Sequence, residues 1–117
     1  MLFRSLWLNQ NGIAAFVLRY RLGPRYRYPV AQGDATRAMR VVRAAAAAQG
    51  FRPDRIGLMG FSAGGHLAAS AGTQFDAGQP ASTDAIERLS SRPDFLVLAY
   101  PVISMEFVGK RDRKSVV

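Results

Sequence analysis

The pentapeptide Gly60-Phe61-Ser62-Ala63-Gly64 constrains this chain more than any other stretch. An apolar run, residues 56–59, leads into it. A run of small residues, Leu67-Ala68-Ala69-Ser70-Ala71, leads out of it. The first suits a buried strand and the second a helix lying close on a sheet. A serine between glycines at a strand-to-helix turn is held at the tip of the turn with its hydroxyl exposed. Gly60 and Gly64 are expected to flank it because strand and helix approach too closely there for a side chain. The backbone N–H of Ala63, at the helix start, would face an oxyanion developing on a carbonyl attacked by Ser62.

The rest of the chain reads as layers around that turn. The apolar patch of Leu2, Phe3, Leu6, Trp7 and Leu8 ends a helix, with Gly12 at its C′ position. Residues 13–18 are continuously apolar, which predicts a strand covered on both faces. Residues 20–29 form a turn-rich loop with aromatic and basic side chains. Residues 34–49 predict a helix whose apolar face carries Ala35, Ala38, Met39, Val42 and Ala45 or Ala46. Arg37, Arg40 and Arg43 take the other side, Asp34 complements the dipole near the start, and Gly50 caps the end. Asp54 is placed to pair with Arg52 or Arg55. Residues 73–92 are polar, with a short helical piece at 84–89 that Asp84 would cap. Residues 95–100 form a third continuous apolar strand, which Pro101 stops.

Strand, helix, strand, helix, strand with covered strands predicts an α/β fold: a parallel sheet with flanking helices. At 117 residues the chain holds one domain at most. That domain is expected over residues 1–105, with 106–117 a disordered basic tail. A 49% hydrophobic and 21% charged composition is that of a globular chain. Without cysteine there is no disulfide, and the redox compartment stays open. No run reaches the roughly 18 apolar residues of a membrane span. Together with the lack of a signal peptide, this favours a cytoplasmic chain without fixing the compartment. The net charge of +8 comes mostly from scattered arginines, with no stripe interleaved with aromatics beyond residues 20–28. Nucleic acid is therefore not the expected partner, and a salt-dependent gel shift is the observation that would bring it back.

Other chemistry at the pentapeptide is excluded by spacing. Ser62 stands where a dinucleotide fingerprint needs its second glycine, and no Gly-Lys-Ser/Thr follows. No His/Asp/Glu cluster has metal-ligand spacing, and no cofactor is expected. His66 is the only histidine. It lies in the first turns of the same helix as Ser62, directed away from the tip. A serine's general base instead approaches from another loop, oriented by a carboxylate. His66 is expected to pack, or to make a hydrogen bond, beneath the turn. Asp34, Asp54, Asp76, Asp84, Asp94 and Asp112 read as caps or solvated charges. Neither a base nor its orienting aspartate is found in this chain.

Three stretches, residues 12–24, 53–68 and 92–105, resemble the α/β-hydrolase superfamily in its bacterial esterase/lipase branch. Within that branch they look most like the feruloyl- and acetyl-esterase-like group associated with xylan degradation. The resemblance implies carboxylic-ester hydrolysis of a small ester, with Ser62 as nucleophile and Ala63 N–H as one oxyanion donor. It implies that residues 12–19, 56–60 and 95–100 are the family's fourth, fifth and sixth strands of eight. The family's second oxyanion donor, on a glycine-rich loop after its third strand, would precede Met1. Its aspartate and histidine would follow Met105. The chain thus looks like the central part of a hydrolase, and an inactive fragment, a non-enzymatic module or a serine peptidase on the same elbow stay open as alternatives. Without the third strand, the fourth and fifth would pair directly or leave open edges, and the chain alone is expected to be marginally stable. Tyr26, Tyr28 and the 73–92 segment are expected to line part of a substrate pocket.

Overall fold

The computed structural model describes residues 2–23 and 29–102, with side chains from Ser5 onward. Tyr26, Tyr28, Asp112 and the basic tail from residue 106 lie outside the described residues. Three helices and two strands follow one another: α1 (Leu2–Gln10), α2 (Val30–Gln49), β1 (Gly57–Phe61), α3 (Ala63–Thr73) and β2 (Phe95–Ala99). β1 and β2 pair in parallel, in register from Gly57 opposite Phe95 to Phe61 opposite Ala99. α3 is the crossover between them. The α/β class, with a parallel sheet flanked by helices, is the one expected.

The C-terminal caps of α1 and α2 follow from glycine. α1 ends with Gly12 at φ 75°, and the Ile13 N–H reaches back to Leu8 O at 2.9 Å. α2 ends with Gly50 at φ 76°, and the Phe51 N–H reaches back to Ala46 O at 3.1 Å. α2 starts at Val30, four residues before the expected start at Asp34. Proline has no N–H to satisfy, so Pro29 can sit at the entrance, where its carbonyl accepts the Gly33 N–H at 3.0 Å. Asp34 consequently falls in the second turn, where its carboxylate binds the Arg21 guanidinium at 2.7 Å and the Arg21 N–H at 2.9 Å.

Residues 13–18 depart from expectation: they form no strand. A strand exists only through a hydrogen-bonded neighbour, and among the described residues none pairs with this run. It is largely exposed, with Phe16 about half accessible and its ring tilted 59° against Phe51 at 5.7 Å between centroids. Strand β2 departs too. Four apolar residues, 95–98, were expected to be covered on both faces, yet each is exposed. Only the α3 side of the sheet is built, where Gly65, Ala68 and Ala71 make a buried stripe of small residues.

The arginines of α2 differ most from the reading of the sequence. Residues at i, i+3 and i+6 share a helix face, and Arg37, Arg40 and Arg43 do share one. At Arg40 and Arg43 that face does not look into solvent, because the segment after α3 folds over it. Arg40 is 5% exposed and donates through Nε to Leu89 O at 3.0 Å while pairing with Asp76 and Glu87. Arg43 binds the carbonyls of Pro53, Ser90 and Arg92. Arg37 pairs with Asp84 at 2.9 Å and Glu87 at 2.5 Å. Asp76 and Ser91 close the segment into an Ω-loop: Ser91 N–H donates to Asp76 O, and Asp76 N–H to the buried Ser91 Oγ, both at 3.0 Å. The expected short helix at 84–89 is a set of turns, in which Asp84 accepts the Ile86 N–H at 3.0 Å. As expected, Arg52 pairs with Asp54 at 2.8 Å.

The Arg40 guanidinium, and next the Gly78 N–H, hold the Asp76 carboxyl below its ordinary value. The folded chain therefore binds fewer protons at Asp76 than the unfolded chain does. Its contribution is complete above the unfolded value of about pH 4 and is lost as the pH falls through the lower folded value. The urea midpoint is expected to drop between neutral pH and about pH 2.5, and Asp76→Asn to flatten part of that drop. Arg40→Ala leaves Leu89 O and Glu87 short of a donor and is expected to lower the unfolding free energy by about 2 kcal/mol at pH 7, read from urea denaturation.

Candidate active site

The site is the one-residue turn between β1 and α3. Ser62 occupies it at φ 53° and ψ −118°, a left-handed conformation that a non-glycine residue adopts only when its surroundings enforce it. The enforcement comes from crowding and from hydrogen bonds. A Cβ added at Gly60 would lie 2.0 Å from the Gly64 carbonyl oxygen, so β1 and α3 meet backbone to backbone. At Gly65 an added Cβ would lie 2.8 Å from Pro101 Cβ and 3.2 Å from Gly60 O. At Gly64 it would meet nothing within 4 Å. The expectation that close approach demands glycine on both sides thus describes Gly60. On the helix side the crowded residue is Gly65, one position later.

Hydrogen bonds fix the Ser62 backbone from three directions. Its N–H donates to Ala99 O at 3.1 Å, and its carbonyl accepts from His66 N–H at 3.1 Å and Val102 N–H at 3.2 Å. Two of these partners belong to the exit of β2. There the chain turns through Tyr100, itself at φ 35°, and Pro101. The Tyr100 ring lies tilted by 51° against Phe61, 6.0 Å between centroids. The sequence reading took Pro101 only as a strand stop; a Tyr-Pro pair directly after an apolar run was the available signal for a turn at this edge.

With its backbone so held, Ser62 is exposed at the tip, and its side chain makes no capping bond to α3. Ala63 follows as the first helical residue, also exposed. A first-turn N–H has no carbonyl of its own helix to bind. A hydroxyl and an unsatisfied N–H thus stand side by side at the positive end of α3. Chemically, that is half of what an acyl transfer needs.

His66 is not turned toward the hydroxyl. Its Nδ1 lies 2.7 Å from Val102 O, so its ring bonds beneath the turn. The described aspartates are occupied elsewhere. Asp34, Asp54, Asp76 and Asp84 bind arginines or backbone amides, and Asp94 accepts the Ile56 N–H at 2.8 Å at the entry to β1. Among the described residues no group of His, Asp or Glu could hold a metal ion. The segment 73–92, expected to line part of a pocket, leaves the C-terminal end of α3, and its Asp76, Asp84 and Glu87 bind arginines of α2. Among the described residues no helix is long and apolar enough to cross a membrane.

Comparison with known proteins places this geometry in context. A family model described as the alpha/beta hydrolase fold matches residues 6–116. An acetylxylan esterase from Xylanibacter ruminicola is 40% identical over 102 residues, which make up 87% of this chain and 18% of that protein. The solved structure of an acetyl ester-xyloside bifunctional hydrolase from Caldicellulosiruptor lactoaceticus superposes with a TM-score of 0.84 at 53% identity. The match covers 86% of this chain and 37% of that one. An alpha/beta hydrolase from a Medee basin deep-sea metagenome library gives a TM-score of 0.70 at 31% identity, over 92% of this chain and 38% of that one. The chain thus spans well under half the length of each.

Two substitutions read the strain directly. Ser62→Gly relieves the left-handed backbone and is expected to raise the unfolding free energy by about 1 kcal/mol, the relief exceeding glycine's extra entropy in the unfolded chain. Gly60→Ala places a methyl inside the Gly64 carbonyl and is expected to lower it by about 3 kcal/mol or more. Urea denaturation of the two variants side by side checks both signs.

Proposed function

The chain belongs to the α/β-hydrolase family, and from that membership we propose that it carries the nucleophile of a carboxylic-ester hydrolase. Ser62 Oγ is the attacking atom, and the Ala63 N–H is one donor to the tetrahedral oxyanion. One observation carries this reading: an exposed serine held at positive φ by a backbone-to-backbone crossing of β1 and α3. A turn that needs positive φ is ordinarily filled by glycine, so a serine there, with its hydroxyl exposed, supports a role for that hydroxyl.

The reaction runs by attack of Oγ on the ester carbonyl, departure of the alcohol, and release of the acid by water. The Ser62 proton must leave during the attack. The sole imidazole of these 117 residues is engaged with Val102 O, so the base that takes that proton comes from outside them. The substrate class we infer is a small acetyl ester of a carbohydrate. Its support is the naming of an acetylxylan esterase and an acetyl ester-xyloside hydrolase among the similar proteins. A small-molecule rather than nucleic-acid partner is supported by the arginines. Arg21, Arg37, Arg40, Arg43 and Arg52 are bound to carboxylates within the fold and offer no free basic stripe.

A chimera tests the reading. These residues are exchanged for the matching part of the Caldicellulosiruptor hydrolase, which supplies the remainder of a complete fold. The chimera is expected to hydrolyse p-nitrophenyl acetate and acetylated xylan, and Ser62→Ala to lower the rate by at least about 1,000-fold. Equal rates with and without Ser62 contradict the assignment. The 117-residue chain by itself is expected to react barely with a fluorophosphonate probe.

A further inference from the structure

We propose that His66 is a positioning residue: it clamps the exit of β2 onto the elbow and so holds Ser62 in the strained conformation that exposes its hydroxyl. This rests on Ser62 being the nucleophile, and it gives the single histidine a role that the reaction itself does not use.

The argument starts from what keeps a left-handed serine in place. Such a conformation is unfavourable for a non-glycine residue and persists only if neighbouring bonds over-determine it. Two of the three backbone bonds on Ser62 come from residues 99 and 102. Ala99 is the last residue of β2 and is fixed by the sheet, opposite Phe61. Val102 lies three residues past that point, beyond Tyr100 and Pro101, and the ladder no longer holds it. Pro101 has no N–H with which to anchor the turn. What holds Val102 is the elbow helix. Its N–H donates to Ser62 O at 3.2 Å, and its carbonyl lies 2.7 Å from His66 Nδ1.

A closed ring of bonds results. Ser62 O accepts from Val102 N–H, Val102 O accepts from the His66 ring, and the His66 N–H returns to Ser62 O at 3.1 Å. A carbonyl can only accept, so Nδ1 carries the proton and the neutral ring is the Nδ1–H tautomer. The fit is steric as well. Pro101 sits against Gly65, where an added Cβ would come within 2.8 Å, so the β2 exit is pressed onto the first turn of α3. Opening the His66–Val102 bond frees Val102, and with it one of the bonds that pin Ser62.

Side-chain geometry supplies the test. Asn places an amide N–H where His has Nδ1, and Gln places one where His has Nε2. Site-resolved amide hydrogen exchange is measured for the chain and for His66→Asn, His66→Gln and His66→Ala. The Ser62 and Val102 amides are expected to exchange roughly tenfold or more faster in the Gln and Ala variants and to stay near the original rates in the Asn variant. Amides of α2, such as Met39 and Ala46, are expected to keep their rates in all of them. A uniform acceleration across α2 and the elbow assigns His66 to general stability and overturns the proposal. Equal behaviour of the Asn and Gln variants overturns it as well. Should the variants fail to fold, the ¹⁵N spectrum of the lone imidazole in the unsubstituted chain decides: an Nδ1–H tautomer sustains the clamp, and an Nε2–H tautomer removes it. None of these readouts involves ester hydrolysis, so failure of the clamp and failure of the esterase assignment are told apart.

Discussion

The backbone-to-backbone crossing of β1 and α3 at Gly60 is the constraint on which the rest of the molecule depends. With a Gly60 Cβ only 2.0 Å from Gly64 O, no other residue fits there without moving strand or helix. The crossing forces the chain to reverse within one residue, and Ser62 takes the positive φ that such a reversal requires. The reversal in turn sends α3 back across the sheet with its small-residue face inward. β2 can then pair in parallel with β1. Site geometry and sheet topology are therefore consequences of one contact.

A second set of interactions acts at a distance from the site. Three arginines on α2 hold the Ω-loop between Asp76 and Ser91 through carboxylates and carbonyl oxygens. The buried Arg40 guanidinium is tolerated because Nε donates to Leu89 O and its other two nitrogens face Asp76 and Glu87. The loop joins the end of α3 to the start of β2, and Asp94 ties its exit to Ile56 through backbone and side chain. Charge here works as a fastener for a chain segment.

Parts of this architecture were legible in the sequence because they follow from local rules. β1 and β2 fall within a residue or two of the apolar runs that announce them, α3 spans the small-residue run from four residues before it to two after, and Gly12 and Gly50 end helices as glycine does. Other parts depend on partners that no local pattern encodes. Continuous apolarity at residues 13–18 and 95–98 reports that these side chains favour burial; it does not supply the neighbour that would bury them. Helical periodicity assigned Arg40 to solvent, since a charged residue opposite an apolar stripe normally faces water. A loop almost forty residues later covers it. At the elbow the pentapeptide identified the turn but misplaced one crowded glycine, because Pro101, which presses on Gly65, lies far along the chain. The hydrogen-bonding role of His66 beneath the turn was anticipated, while its partner Val102 was not.

The most direct measurement on the central claim is a crystal structure of the chimera, in which these residues stand within a complete fold, after reaction with an excess of a phosphonate ester. If Ser62 is the nucleophile of this fold, phosphorus is bonded to Ser62 Oγ and a phosphonyl oxygen sits about 2.7–3.1 Å from the Ala63 N–H. An adduct on another residue, or a Ser62 adduct whose oxygens all turn away from Ala63, contradicts the account.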